Sequence, residues 1–231
     1  MASKIPMHHG RKKRYILAAT VAVPIIIFAL YSAAQSNPYR NSKIMNFDSY
    51  EDNTTPTTFA FTGGQQEKGT WVVKSDETSP SKPNVLARLS SNGTGSGYQI
   101  GIVPGGSYSN FEASVKFKII YGEQQQAAGL VVRFQDVNHY FVLVADAMNH
   151  RFSLCRAQTD ALVCTQDTAA EITTGQWHTI KAQVAAQGIA GFLDDMRLLQ
   201  RNDEHYLSGG QIGLWTKGDS NVYFDDLKVV S

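Results

Sequence analysis

The sequence predicts an all-β protein, an antiparallel β-sandwich preceded by one N-terminal transmembrane helix. Three observations carry this reading. Roughly a dozen short runs alternate apolar and polar residues, no segment after residue 34 keeps a helical period, and one long uncharged stretch lies near the N-terminus.

The bulk numbers agree. A chain of 231 residues, 42% apolar and 18% charged, suits one globular domain with one core plus an appendage. The net charge of +1 hides a division. Residues 1–34 carry five basic groups (Lys4, Arg11, Lys12, Lys13, Arg14) and no acid, so taking five from 21 leaves 16 basic against 20 acidic residues, a net of −4 for the remainder. A mildly acidic domain has no basic footprint for phosphate backbones, and nucleic acid is not an expected partner.

Taken in order, the first element is the stretch YILAATVAVPIIIFALYSAA, Tyr15 to Ala34, entered directly from the basic cluster Arg11–Arg14. At ~1.5 Å per residue it spans about 30 Å, the thickness of a bilayer's hydrocarbon core. The positive flank keeps residues 1–14 as a cytoplasmic tail and sends the rest across. Tyr15 and Tyr31 fall at the two headgroup levels. The rival reading is a cleaved signal peptide ending at Ser32-Ala33-Ala34. The apolar run exceeds the ~7–15 residues usual for one, which favours a retained signal anchor. Both readings place the domain outside the membrane. His8 and His9, adjacent in the tail, do not make a metal site by themselves.

Residues 35–42, QSNPYRNS, read as linker, and 43–231 as the sandwich. In FEASVKFKI, Phe111, Ala113, Val115, Phe117 and Ile119 point one way and Glu112, Ser114, Lys116 and Lys118 the other, so one face is core and one is wet. In GLVVRFQDVNHYFVLVAD, pairing Gln135 with Tyr140 across the loop DVNH places Leu130, Val132, Phe134, Phe141, Leu143 and Ala145 on one face. The opposite face then presents Val131, Arg133, Gln135, Tyr140, Val142, Val144 and Asp146. A one-residue slip would bury Arg133 or expose the phenylalanines, so the register is well specified.

These runs, followed by GQWHTIKAQV, GFLDDMRLL and GGQIGLWTKGDSNVYFDDLKVV, resemble in order and spacing the concanavalin A-like lectin/glucanase jelly-roll sandwiches. Within them the likeness is to laminin G-like domains and to those labelled 3-keto-disaccharide hydrolase. The resemblance covers residues 43 to 231 and is carried mainly by the C-terminal half. One departure is visible: the hairpin turn that such domains often build with Asp-Gly reads Asp194, Asp195, Met196 here. The resemblance specifies fold more than activity, because one sandwich hosts lectins, hydrolases and spacers alike.

The candidate site follows from the wet face. Arg133, Gln135, Tyr140 and Asp146 combine an apolar floor with hydrogen-bonding groups, which suits a pyranose with hydroxyls at its rim and C–H groups on its faces. An ordinary outer face is the rival reading. Glycoside hydrolysis needs two carboxyls about 5–9 Å apart, and the E-x-D-x-x-E run of the family 16 glucanases is missing. Adjacent acids (Glu51-Asp52, Asp194-Asp195, Asp203-Glu204, Asp225-Asp226) point to opposite faces in a strand. Binding is therefore expected rather than catalysis. A glycoside-processing hydrolase of the 3-keto-disaccharide type and a protein-binding adhesion module are the alternatives.

In VYFDDLKVV, Asp225 falls in phase with Leu227 and Val229 on a face that should be apolar, where a stranded carboxylate costs several kcal/mol. In jelly rolls of this type the first and last strands are neighbours, which brings Asp225 toward Asp48. Its partners could be backbone N–H groups at a bulge, a basic side chain such as Arg88 or Lys217, or a structural calcium held by Asp48 and Asp225. No other cofactor is implied. Cys155 and Cys164 flank RAQTDALV, and a two-residue turn at Thr159 and Asp160 sets them opposite each other as a disulfide. Trp71, Trp177 and Trp215 read as core or core-edge residues. SNGTGSGY and VPGGSYSN are turns, since no strand-to-helix context follows them. Asn53 and Asn92 match glycosylation acceptors.

Overall fold

The computed structural model describes residues 41–63, 69–90, 97–159, 161–206 and 208–231. The tail, the anchor at 15–34, most of the linker, Asn92 and Asp160 lie outside the described residues. Among those described, no helix is long and apolar enough to cross a membrane.

The described strands form two antiparallel sheets. One runs, in spatial order, β13 (Met196–Asn202), β12 (Gly188–Leu193), β11 (His178–Ala185), β6 (Phe111–Tyr121), β15 (Asn221–Val230), β4 (Asn84–Ser90) and β3 (Gly69–Ser75), and β1 (Ser42–Met45) also pairs with β15. The other runs β10 (Ala161–Ala169), β9 (Arg151–Gln158), β8 (His139–Asp146), β7 (Ala127–Asp136), β14 (Gln211–Lys217), β5 (Tyr98–Ile102) and β2 (Ala60–Gly63). The first and last strands are neighbours, as the jelly-roll resemblance implies, with Lys43 opposite Val229.

Period-two patterning sorts the core. Phe111, Ala113, Val115, Phe117 and Ile119 of β6 are fully buried between the sheets, facing Leu130, Val132, Phe141, Leu143 and Ala145 of the β7–β8 hairpin. Burying each large apolar side chain stabilises by about 1.5–3 kcal/mol. Arg88 of β4 crosses the inter-sheet layer, donating from Nη1 to Ser220 O at 2.9 Å and from Nε toward Gln99 Oε1 of β5 at 3.5 Å.

The β7–β8 hairpin departs from its expected register at one end. Val132 pairs with Phe141 and Asp136 with His139, so Arg133, Phe134 and Gln135 lie opposite Tyr140 alone. This is a β-bulge, and Arg133 takes the left-handed φ of 52° that it requires. Side-chain alternation resets there. Phe134 turns outward to pack on Tyr140, ring centroids 5.8 Å apart, while Phe141 stays in the core. Arg133 turns inward instead, is fully buried, and donates from Nη2 to the carbonyl of Ala186 in the β11–β12 turn of the other sheet. The expectations that Phe134 and Phe141 share a face and that Arg133 lies on the wet face are therefore corrected. A two-residue offset at the bulge overrides strict alternation.

A second bulge answers the question raised by Asp225. Register shifts between Asp225 and Lys228, and Asp226 has a φ of 47°. Val222 and Phe224 point into the core before the bulge, Leu227 and Val229 after it. Asp225 is thus out of phase with Leu227 and Val229 and leaves the core face. It is covered by the loop between β3 and β4, where it accepts hydrogen bonds from Ser81 N (2.9 Å), Ser81 Oγ (2.9 Å) and Asp226 N (2.8 Å). Of the three partners considered, backbone N–H groups at a bulge are the ones found, joined by a hydroxyl. Asp48 accepts from Asn84 N instead, at 3.1 Å. These donors aim N–H and O–H groups at the carboxylate oxygens a calcium would need, and the described residues hold no group of three or more His, Cys, Asp or Glu side chains able to take a metal. Both carboxylates are thus engaged by donors of the chain itself.

Cys155 and Cys164 stand opposite each other across β9 and β10 and are joined by a disulfide. The Asp194-Asp195 departure keeps a two-residue turn between β12 and β13. Both residues take left-handed φ values of 48° and 64°, and Asp194 is anchored by Thr179 N (2.8 Å) and His178 Nδ1 (2.7 Å). Two successive positive φ values match the type I′ hairpin turn that Asp-Gly serves elsewhere.

Candidate functional site

The outer face of the seven-stranded sheet is not an ordinary wet surface. Ile100, Val131, Tyr140, Val142 and Trp215, all pointing away from the sandwich core, are themselves at most 1% exposed and form a second apolar cluster. Strand patterns explain this. In β14 the sequence QIGLWTK sends Ile212 and Leu214 inward and Gln211, Gly213, Trp215 and Lys217 outward; in β8, Tyr140, Val142 and Val144 alternate with core residues. A Cβ on Gly129 would meet Val142 Cγ2 at 2.8 Å and Trp215 Cβ at 3.2 Å, so the glycine leaves room for the indole of the neighbouring strand.

Beside this cluster lies a trough of about 480 Å³ lined from β5 across to β10. Its aromatic wall is Tyr98 stacked on Trp215, centroids 6.2 Å apart and 23° between planes. Ala127, Val144 and Leu162 add apolar floor, the disulfide forms part of the far wall, and Asp146, Asn149, Arg151, Ser153 and Lys217 supply polar groups. Asp146 is fixed by Asn149, which donates from N at 3.0 Å and from Nδ2 at 2.7 Å. Arg151 pairs with Asp167 on β10. The Tyr140 hydroxyl and Trp215 Nε1 are buried without a hydrogen-bond partner. Burial raises the pKa of the Tyr140 hydroxyl, which has Tyr98 and Trp215 as polar neighbours, so it stays a neutral phenol.

Of the four residues expected to bind ligand, only Asp146 lines this trough. Gln135 is exposed and lies in a separate depression with Phe134 and Asp136, its Nε2 donating to Ser208 Oγ at 2.9 Å. Tyr140 is on the predicted face but lies beneath the surface, and Arg133 is inside the sandwich. Tyr98, Arg151 and Lys217 were missed. Tyr98 and Lys217 lie opposite each other in register, yet more than a hundred residues separate them in the chain, so no local pattern pairs them. Trp215 could be read only as a buried aromatic, because nothing in its own strand reveals which face is open.

A polar cluster closes one end of the sandwich. Asp203, between β13 and β14, accepts from His205 N at 3.0 Å, has His205 Nδ1 at 2.5 Å and faces Arg156 Nη1 at 3.3 Å. Burial would raise the Asp203 carboxyl, but these donors outweigh it and hold it below the ordinary carboxylate range. Arg133 also feels this charge. Asn53 is exposed between β1 and β2, in a turn where its φ is 62°.

Residues 47–230 match the family described as 3-keto-alpha-glucoside-1,2-lyase-like domain. No curated protein matches the sequence. Among solved structures, the chain resembles carbohydrate-binding module CBM66 from Bacillus subtilis, with a TM-score of 0.60 and 18% identity over 76% of this chain and 98% of that one. It also resembles the cellulose-induced protein Cip1, with a TM-score of 0.59 and 11% identity over 82% and 96% of the two chains. Domain 4 of AbnA, an extracellular arabinanase from Geobacillus stearothermophilus in complex with arabinotriose, superposes with a TM-score of 0.55 at 14% identity, covering 83% of this chain and 94% of that one. At these identities the likeness establishes the fold.

Proposed function

Because the chain belongs to the 3-keto-alpha-glucoside-1,2-lyase-like domain family, we propose that it is a membrane-anchored extracytoplasmic sandwich that binds carbohydrate in the Tyr98–Trp215 trough. The observation that carries this is the half-buried Tyr98 ring, backed by the buried Trp215 indole, beside Asp146, Asn149, Arg151 and Lys217 in one concave site. Sugar rings present C–H faces to aromatic surfaces and hydroxyls to fixed polar groups, and this arrangement offers both. The anchor rests on the uncharged stretch from Tyr15 to Ala34 behind Arg11–Arg14.

Binding is favoured over hydrolysis because Asp146 is the sole carboxylate among the described residues lining the trough, where glycoside hydrolysis uses two. The test is glycan-array binding by the full chain against its Tyr98→Ala and Asp146→Ala variants. Each variant should lose at least about tenfold in affinity, some 1.4 kcal/mol. Absence of binding to every glycan, or unchanged binding in both variants, defeats the reading.

The family description supports a second reading as a lyase. In a 3-keto-glucoside the ketone acidifies the C2 proton, so a single base suffices to remove it while the C1–O bond breaks and the leaving oxygen takes up a proton. Asp146 would be that base. Both of its oxygens already accept hydrogen bonds from Asn149, so taking a proton from substrate means giving one of them up, which ranks this reading second. Formation of an ultraviolet-absorbing enone from a 3-keto-glucoside, lost in Asp146→Asn, would establish it.

A further inference from the structure

The bulge at Arg133 makes an exchange that disfavours the core. It turns an aromatic residue out of the sandwich and buries a guanidinium whose Nε and Nη1 have no hydrogen-bond partner. A buried, partly unsatisfied cation costs free energy, and local rules are broken in this way mainly where function requires it. What the exchange produces is a second depression of about 390 Å³ on the same sheet, lined by Phe134, Gln135, Asp136, Ile102, Pro104 and Gln211 among others.

The two depressions are continuous with one apolar layer. Ile102 and Phe134 of the second and Ala127, Val144 and Trp215 of the first all belong to, or pack on, the outer cluster of Ile100, Val131, Tyr140 and Val142. The same strands serve both. In β5, Tyr98 lines one depression and Ile102 the other; in β14, Trp215 and Gln211 do the same. Four residues at ~3.3 Å each set them about 13 Å apart along the strand, farther than one sugar ring reaches. The second depression repeats the composition of the first, an aromatic residue bordered by amide and carboxylate groups.

We propose that the β7 bulge builds a second sugar subsite around Phe134, so that the ligand is a glycan chain lying obliquely across the sheet from the Tyr98–Trp215 trough to Phe134, not a monosaccharide or disaccharide. This rests on the carbohydrate-binding reading above and specifies its ligand class. Phe134 stacks on a distal ring, and Gln211 and Asp136 hydrogen-bond its hydroxyls.

The test is calorimetric titration of the full chain with arabino-, cello- and laminari-oligosaccharides of two to six units. The wild type should bind the longest members of at least one series at least about tenfold more tightly than the disaccharide. Phe134→Ala, and separately Gln211→Ala in case the first variant misfolds, should remove most of that gain and leave disaccharide affinity unchanged. Equal affinity for short and long members, or length dependence retained in both variants, overturns the second subsite while the trough still stands. Failure of all three series to bind overturns this proposal, and failure across the glycan array as well overturns the binding reading.

Discussion

Asp225 links the stability of this sandwich to pH. Its carboxylate is fully buried and held by Ser81 and the Asp226 amide, with no cation among its hydrogen-bond partners. Burial pushes the carboxyl up to about 6, against the opposing hydrogen bonds. Between its ordinary pKa near 3.8 and about 6 the folded protein retains a proton that the unfolded chain has released. Stability from this group therefore falls as pH rises through that window and is level above it. The loss is on the order of 2–3 kcal/mol. Urea unfolding of the wild type and Asp225→Asn at pH 4 and pH 6.5 should show the difference in stability between them moving by that amount, the wild type losing ground at the higher pH. A constant difference would mean that the carboxyl titrates at its ordinary pKa.

At the level of elements, the two bulges and the β12–β13 turn separate what a single sequence reveals from what it conceals. Strict alternation located β6 and most of the β7–β8 hairpin because every residue from Phe111 to Ile119 obeys it. It failed at Arg133 and Asp225, where two extra residues and one extra residue respectively interrupt the alternation, and the chain carries no glycine at either bulge to announce it. Arg133 and Asp226 instead take left-handed φ values, which a reading of residue types does not anticipate. The candidate site inherited that error, since three of its four expected residues sit on or beside the Arg133 bulge. Asp146, beyond it, kept its place. The turn offers a direct test. Asp195 has a φ of 64° and an exposed side chain, so Asp195→Gly should relieve left-handed strain and stabilise by about 0.5 kcal/mol, a melting shift of about 1–3 °C. Unchanged or lower stability would show that the aspartate already satisfies the turn.

For the molecule as a whole, the sandwich is closed by covalent and ionic devices near its periphery. The disulfide ties the outermost strand β10 to β9 across nine residues of sequence. Closing so short a loop stabilises by about 2–3 kcal/mol. Cys155→Ala with Cys164→Ala should therefore lower unfolding stability by that amount and, because Cys155 and Cys164 line the trough, weaken glycan binding as well. A loss of stability with binding intact would assign β10 a purely structural part. The buried Arg88 and Arg133 bridge the two sheets, Arg88 toward the Gln99 side chain of β5 and Arg133 to the Ala186 carbonyl, so hydrophobic burial alone does not set how the layers meet.

The seven-stranded sheet is greasy on both sides: Leu143 faces the core and Val144 the trough, with a single thickness of backbone between them. Such a sheet acts as a common membrane between interior and recognition surface, and a guest settling on one side clamps the strands whose reverse holds the fold together. A sugar bound there as proposed raises resistance to heat, and a melting curve then serves as a detector that needs no label.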